Sequence, residues 1–195
     1  NRAARAEQTI AGVNALANAV GESGPRIIEA FQAITKSQLS LVESAELLNI
    51  GLSAGLPADQ LLEFGEIGLK ASRALGRDLT DTIQRLIRGV SKLEPELLDE
   101  LGIFARIEPA AEAYALSVGK VASQLSNFEK RQAFANAVAL EGGEKFATID
   151  TSATSSAESL EKLVAPAVIK NFLNISVLTL LAAALVSLVI PLNLI

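Results

Sequence analysis

Any chemistry in this chain has to start from serine, carboxylates and arginine, because histidine and cysteine are both absent. Gly51-Leu52-Ser53-Ala54-Gly55 matches the G-x-S-x-G nucleophile elbow. That motif exposes a serine hydroxyl on a strand-to-helix turn and needs an imidazole to accept its proton. Here a helical pattern leads in and no imidazole exists, so the five residues read as a helix C-terminus and turn. Only a histidine from another chain would make Ser53 a nucleophile. Gly21-x-x-Gly24 lacks both the Gly-Lys-Ser/Thr ending and the leading strand of a phosphate loop. Glu94, Glu96, Asp99 and Glu100 are dense enough to suggest a divalent cation, whose oxygen ligands must converge. Yet Asp99 and Glu100 are neighbours that point apart on a helix, and Glu94 and Glu96 stand where a helix start favours carboxylates. Arg85, Arg88 and Arg131 lie among acidic residues and read as solvated or surface-paired rather than as a nucleic-acid stripe. No catalytic, cofactor-binding or metal-ligating residue is expected, and the chain reads as a non-enzyme.

The elements that remain must do structural work, and composition says what they are. Ala (32) and Leu (30) together fill about a third of the 195 positions, and aromatics are 4%. Both are strong helix formers, while strand formers are sparse. The expected fold class is all-α: a multi-helix domain flanked by a coiled-coil-like N-terminal helix and a hydrophobic C-terminal helix. Without cysteine there is no disulfide, zinc–thiolate site or iron–sulfur cluster, which fits a reducing compartment or a virion interior. A net charge of −5, with no dense Lys/Arg block, argues against non-specific nucleic-acid binding. The chain begins Asn1-Arg2-Ala3 and contains no methionine, so it is expected to be part of a longer protein or a processed product.

Charge divides the chain. All 39 charged residues lie within 1–170, and 171–195 carry none. The 19 residues from Phe172 to Ile190 would make about 28 Å of helix, close to a bilayer core of about 30 Å. Phe172, Leu173, Ile175, Val177, Leu178, Leu180, Leu181, Leu185, Val186, Leu188, Val189 and Ile190 supply the apolar surface, and Pro191 is a natural stop. Two readings stay open: a membrane-competent helix, or a helix buried on all sides in an assembly. Asn174, Ser176, Thr179 and Ser187 suit helix–helix contacts in either setting.

At the other end, Ala3, Ala6, Ile10, Val13, Ala17 and Val20 follow the 3-4-3-4-3 spacing of a heptad seam. This is either one face of an amphipathic helix on its own domain or the end of a coaxial bundle of identical chains. Four regions follow: a coiled-coil-like helix over 1–24, a helical module over 25–149, a polar linker with a short helix over 150–170, and the uncharged segment 171–195. Within the module, proline starts and glycine stops mark about seven short helices. Helices are expected over 25–35, around Leu41 to Leu52, and from beyond Pro57 to a stop at Gly76. Asp78 or Thr80 should cap the next, whose stripe is Leu79, Ile83, Leu86, Ile87 and Val90. A short helix opens at Glu94-Pro95-Glu96 and closes at Gly102. Ile103 to Ile107 alternates like an extended stretch, Pro109 starts a helix that ends near Gly119, and Ser126-x-x-Glu129 caps one running to Gly142-Gly143.

Several runs in this module resemble the tape-measure proteins of tailed bacteriophages and prophages. They are Ala74-Leu75-Gly76-Arg77-Asp78-Leu79, Arg85-Leu86-Ile87-Arg88-Gly89-Val90, and above all Lys92-Leu93-Glu94-Pro95-Glu96-Leu97-Leu98-Asp99-Glu100-Leu101-Gly102-Ile103. Phe128-Glu129-Lys130-Arg131-Gln132-Ala133-Phe134, Asn136-Ala137-Val138, Ser37-Gln38-Leu39-Ser40 and Leu47 to Leu52 extend the likeness over about 27–146. The resemblance implies a structural protein that sets tail length in the tube lumen and assists genome passage through the host envelope. It implies a coaxial homo-oligomer, a trimer or a hexamer, with tail-tube, distal-tail and tip or hub proteins as partners. It places the protein in the virion's tail tube or tip, and in the host inner membrane on ejection. The middle of the chain is broken by Gly and Pro, and even a continuous helix of 195 residues would span at most about 290 Å. The expectation is therefore one module of a longer ruler. A helical membrane-permeabilising protein, such as a pore-forming toxin domain, is the alternative.

Overall fold

Where Ala and Leu recur at helical spacing and polar caps punctuate them, helices form. The computed structural model describes residues 2–152, and every regular element among them is helical. In chain order these are α1 (Arg2–Ala19), α2 (Gly24–Ile34), α3 (Leu41–Ser53), α4 (Ala58–Leu75), α5 (Leu79–Lys92), α6 (Glu96–Asp99), α7 (Ile107–Ser117) and α8 (Asn127–Lys145). A short 3-10 turn, Ala122–Gln124, separates α7 from α8. Residues 1–151 form one unit. The expectations for the linker beyond 152 and for Phe172 to Ile190 lie outside the described residues. Among the described residues no helix is long and apolar enough to cross a membrane.

Capping fixes the boundaries. Ser40 and Ser126 each close a full capping box, with Glu43 and Glu129 reaching back to the cap nitrogens. Pro25 sits in the first turn of α2. Gly76 ends α4 in the left-handed region at φ 64°, where a side chain would be strained. Asp78, not Thr80, then caps α5 by accepting the Asp81 N–H at 2.8 Å. Asp78→Ala is expected to lower stability by about 1 kcal/mol, read as a shift of the urea midpoint with an unchanged slope.

Two boundaries differ from the sequence expectation. Helix α7 begins at Ile107, two residues before Pro109, because a first-turn proline need not be the first helical residue. Helix α8 does not stop at Gly142-Gly143 but runs through both to Lys145. A methyl at Gly142 would lie 2.9 Å from Ile67 Cγ2 and 3.2 Å from Ile103 Cδ1. Glycine lets α8 close onto α4 there, and that packing offsets a helix-propensity cost of about 1 kcal/mol. The stretch after Gly102 is extended and alternates as expected, with Ile103 and Ala105 buried and Phe104 and Arg106 exposed. It has no strand partner among the described residues.

Helix α4 is central, touching α2, α3, α5 and α8. The core gathers Phe31, Leu48, Leu61, Phe64, Ile83, Leu86, Ile87, Leu98, Leu101 and Phe134, all fully buried. The α5 stripe of Leu79, Ile83, Leu86, Ile87 and Val90 is buried as its spacing predicts. Close approach depends on small residues: a methyl on Gly68 would collide with Ile83 Cγ1, and one on Gly51 with Leu61 Cδ2. Two buried threonine hydroxyls return to their own helix, Thr35 Oγ1 to the Phe31 carbonyl (2.8 Å) and Thr82 Oγ1 to that of Asp78 (2.7 Å).

Candidate functional site

A cluster of paired charged side chains lies at the corner where α5 meets α6. Leu93 turns the chain there in the left-handed region at φ 58°, and Pro95 leads into α6. Leu98, Leu101 and Ile103 drop into the core with no exposed surface. Gly89 leaves room for Leu98, whose Cδ2 would lie 2.9 Å from a methyl at that position. The charged residues face outward and pair. Arg85 donates to Asp81 at 2.8 Å and to Glu100 at 2.7 Å, and Arg77 comes within 3.6 Å of Glu100. Arg106 donates to both oxygens of Asp99, at 2.8 and 3.1 Å. Asp81 first, then Glu100, raises the Arg85 guanidinium above its ordinary value, and Asp99 does the same for Arg106. Asp99 and Glu100 thus diverge to different arginines, and Arg85 is surface-paired, as read from the sequence. Among the described residues no group of three carboxylates converges as a metal site.

The elbow-like motif lies where its helical context predicted. Ser53 is the last residue of α3, is exposed, and donates its hydroxyl to the Ile50 carbonyl at 3.0 Å. Gly51 is buried in the helix, and Gly55 makes the turn at φ 84°. Residues 21–23, Arg26, Ala58 and Asp59 line an open groove of about 770 Å³ beside the starts of α2 and α4.

The α1 seam divides along its length. Val13 and Ala17 are fully buried, and Ile10 packs partly against the same core, because α2 and α3 of this chain cover that face. Asn49 on α3 ties the helix down by donating to the Thr9 carbonyl at 2.7 Å. Ala3 is exposed, Ala6 is half-buried, and Val20 is 68% exposed. The seam therefore packs within the chain over its central turns, and α1 shares one unit with α2–α8 rather than standing apart as 1–24.

No family model matches the chain, and no solved structure matches it. Two features that the sequence did not announce are long-range. Gln60 on α4 is buried and donates to Asn136 Oδ1 at 3.1 Å, while Gln132 donates to Gln60 Oε1 at 3.1 Å and to Asn136 Oδ1 at 3.0 Å. The i, i+4 spacing of Gln132 and Asn136 was the available signal, but the partner 72 positions away was not readable. Arg77 reaching Glu100 across the α5–α6 corner is the second.

Glu129 carries the strongest electrostatic perturbation. The Lys120 ammonium, then the Ser126 amide and hydroxyl, lower its carboxyl from 4.5 to about 2. A carboxyl lowered in the folded state contributes stability that is complete above pH 4.5 and is lost as pH falls towards 2. Glu63 works in the opposite direction, since burial, then Asp59 and Glu66, raise its carboxyl. Comparing wild type with Glu129→Gln isolates the first effect. The two urea midpoints should converge between pH 4.5 and 2, with the wild type ahead above that window.

Proposed function

We propose that this chain is a phage tail tape-measure protein, acting by packing and length rather than by catalysis. The observation that carries the reading is the run from Lys92 to Ile103, whose residues resemble that family in order and spacing. Its side chains build a rigid corner: Leu98, Leu101 and Ile103 in the core, Asp99 and Glu100 on separate arginines. The other resembling runs contribute in the same manner. Gly76 and Asp78 end one helix and start the next, Glu129 completes a cap, and Phe134 is fully buried. Ser53, the residue of the elbow-like motif, is engaged with the backbone of its own helix.

On this reading the chain assembles as coaxial copies inside the tail tube or at its tip, against tube and hub proteins. Contact between copies through α1 is confined to its first turns, around Ala3 and Ala6, since Val13 and Ala17 are taken up by α2 and α3. The uncharged run 172–190 would be shielded in the particle and meet the host inner membrane on ejection.

The test uses the phage or prophage gene that encodes the chain. Antibody against the folded 2–152 region should label purified tails. An in-frame insertion of 100 helix-forming residues outside that region should lengthen tails by up to about 150 Å in micrographs. Unchanged tail length overturns the ruler role. Leakage of liposomes by the isolated chain, with no antigen in virions, would replace it with the pore-forming alternative.

A further inference from the structure

The segment from Ala111 to Leu125 is held differently from the rest of the domain. Ala111, Ala115 and Leu125, with Tyr114 and Ala122 partly covered, form a small apolar cluster of their own, separate from the main core. Helix α7 touches only α8 and the 3-10 turn among the described elements. Its inward residues are mostly alanines, so it buries little apolar area per turn. Larger side chains of the segment face out instead: Leu116 on α7 is 80% exposed, and Val121 beyond it 57%.

Polar attachment is equally thin. Among the described residues, the side-chain bond from this segment to α8 is the Lys120–Glu129 pair, which is partly solvent-exposed. Ser117 bonds locally to the Tyr114 carbonyl. Helix α8 has an anchorage apart from the segment, because Phe134, Ala135, Val138 and Ala139 are buried in the main core. Upstream, Ala110 belongs to that core and Ile107 packs against it. A boundary between firmly and loosely held backbone thus falls within α7, after Ala110.

We propose that residues 111–125 form an arm that opens from α8 while α1–α5 and α8 stay folded, hinging just after Ala110. Local opening of this kind is expected where buried contacts are few and apolar clusters are separate. Opening adds Tyr114, half-buried in the closed arm, to Leu116, Val118 and Val121, which are exposed already.

Amide hydrogen exchange on the full chain tests this at increasing urea concentrations. Amides of Val118, Lys120 and Leu125 should be protected at least about 100-fold less than those of Ile83 to Val90, and their exchange should be insensitive to low urea. Within residues 2–152, trypsin should cut first after Lys120 and leave the fragments associated. Lys120→Met should speed exchange across 114–125 and leave Ile83 to Val90 unchanged. If 114–125 instead exchange with the same protection and urea dependence as α5, or if Lys120→Met shifts both regions equally, the arm is not a separate unit and the proposal is overturned.

Discussion

Replacing Phe64 by alanine is expected to cost about 3–5 kcal/mol, which is a large share of a typical domain stability of about 5–15 kcal/mol. Phe64 has no exposed surface and sits midway along α4, the helix in contact with α2, α3, α5 and α8. The loss combines the transfer energy of the ring with a cavity that four packed helices cannot readily fill. Relaxation is restricted because α4 already approaches its neighbours at glycines: Gly65 lies against Phe31, and Gly68 against Ile83. Moving α4 inward to fill the void would drive backbone into those side chains. Urea unfolding followed by helical circular dichroism reads the effect. Leu116→Ala is the control, since Leu116 is 80% exposed and its truncation should stay within about 0.5 kcal/mol. Equal midpoints for the two variants would show that the core is not organised around α4.

Much of this architecture is legible in the chain because it is encoded locally. The cap at Ser126 and the stop at Gly76 are short-range devices that act where their spacing places them, Asp78 is one of two caps the spacing offers, and the equally local Ser40–Glu43 box went unread. The stripe of α5 is equally local. What the sequence could not yield depends on contacts between distant positions. Gly142 looks like a stop but serves as a close-approach residue, and only the arrival of Ile67 and Ile103 distinguishes the two. Helix α1 has heptad spacing that suits either a partner chain or a neighbouring helix, and the burial of Val13 and Ala17 is decided by where α2 and α3 fold back. The Gln60–Gln132–Asn136 cluster has the same character, since hydrogen bonds across 72 and 76 positions leave no periodic trace.

The functional reading has the same dependence on context. Leu98, Leu101 and Ile103 of the Lys92–Ile103 run are held by packing, and Asp99 and Glu100 by pairing, so substitutions at these five should act through stability. Breaking the Arg85–Glu100 pair alone is a small perturbation, because Glu100 is also approached by Arg77 and both groups are partly solvated. A test of the proposed role that spares the fold is better placed outside this run.

On the proposed reading, that test falls on the uncharged run 172–190. If residues 172–190 enter the host membrane during ejection, arginine at both Leu181 and Leu185 should abolish DNA delivery. Each charge at a bilayer centre costs about 2.5–3.5 kcal/mol on insertion scales, and the two positions lie near the middle of a segment with no other charge. Together the two substitutions oppose insertion by roughly 5–7 kcal/mol, a bias of more than about a thousandfold. Neither position lies within the 1–151 unit, and circular dichroism with the urea midpoint of the full-length variant checks that its fold is retained. Tail length in micrographs separates assembly from delivery. Tails of normal length on particles that adsorb but release no DNA into the cell fit the membrane role. Normal infectivity sinks it. Failure to form tails assigns the segment instead to a protein-buried position, where an unpaired arginine is also costly but the damage comes before ejection.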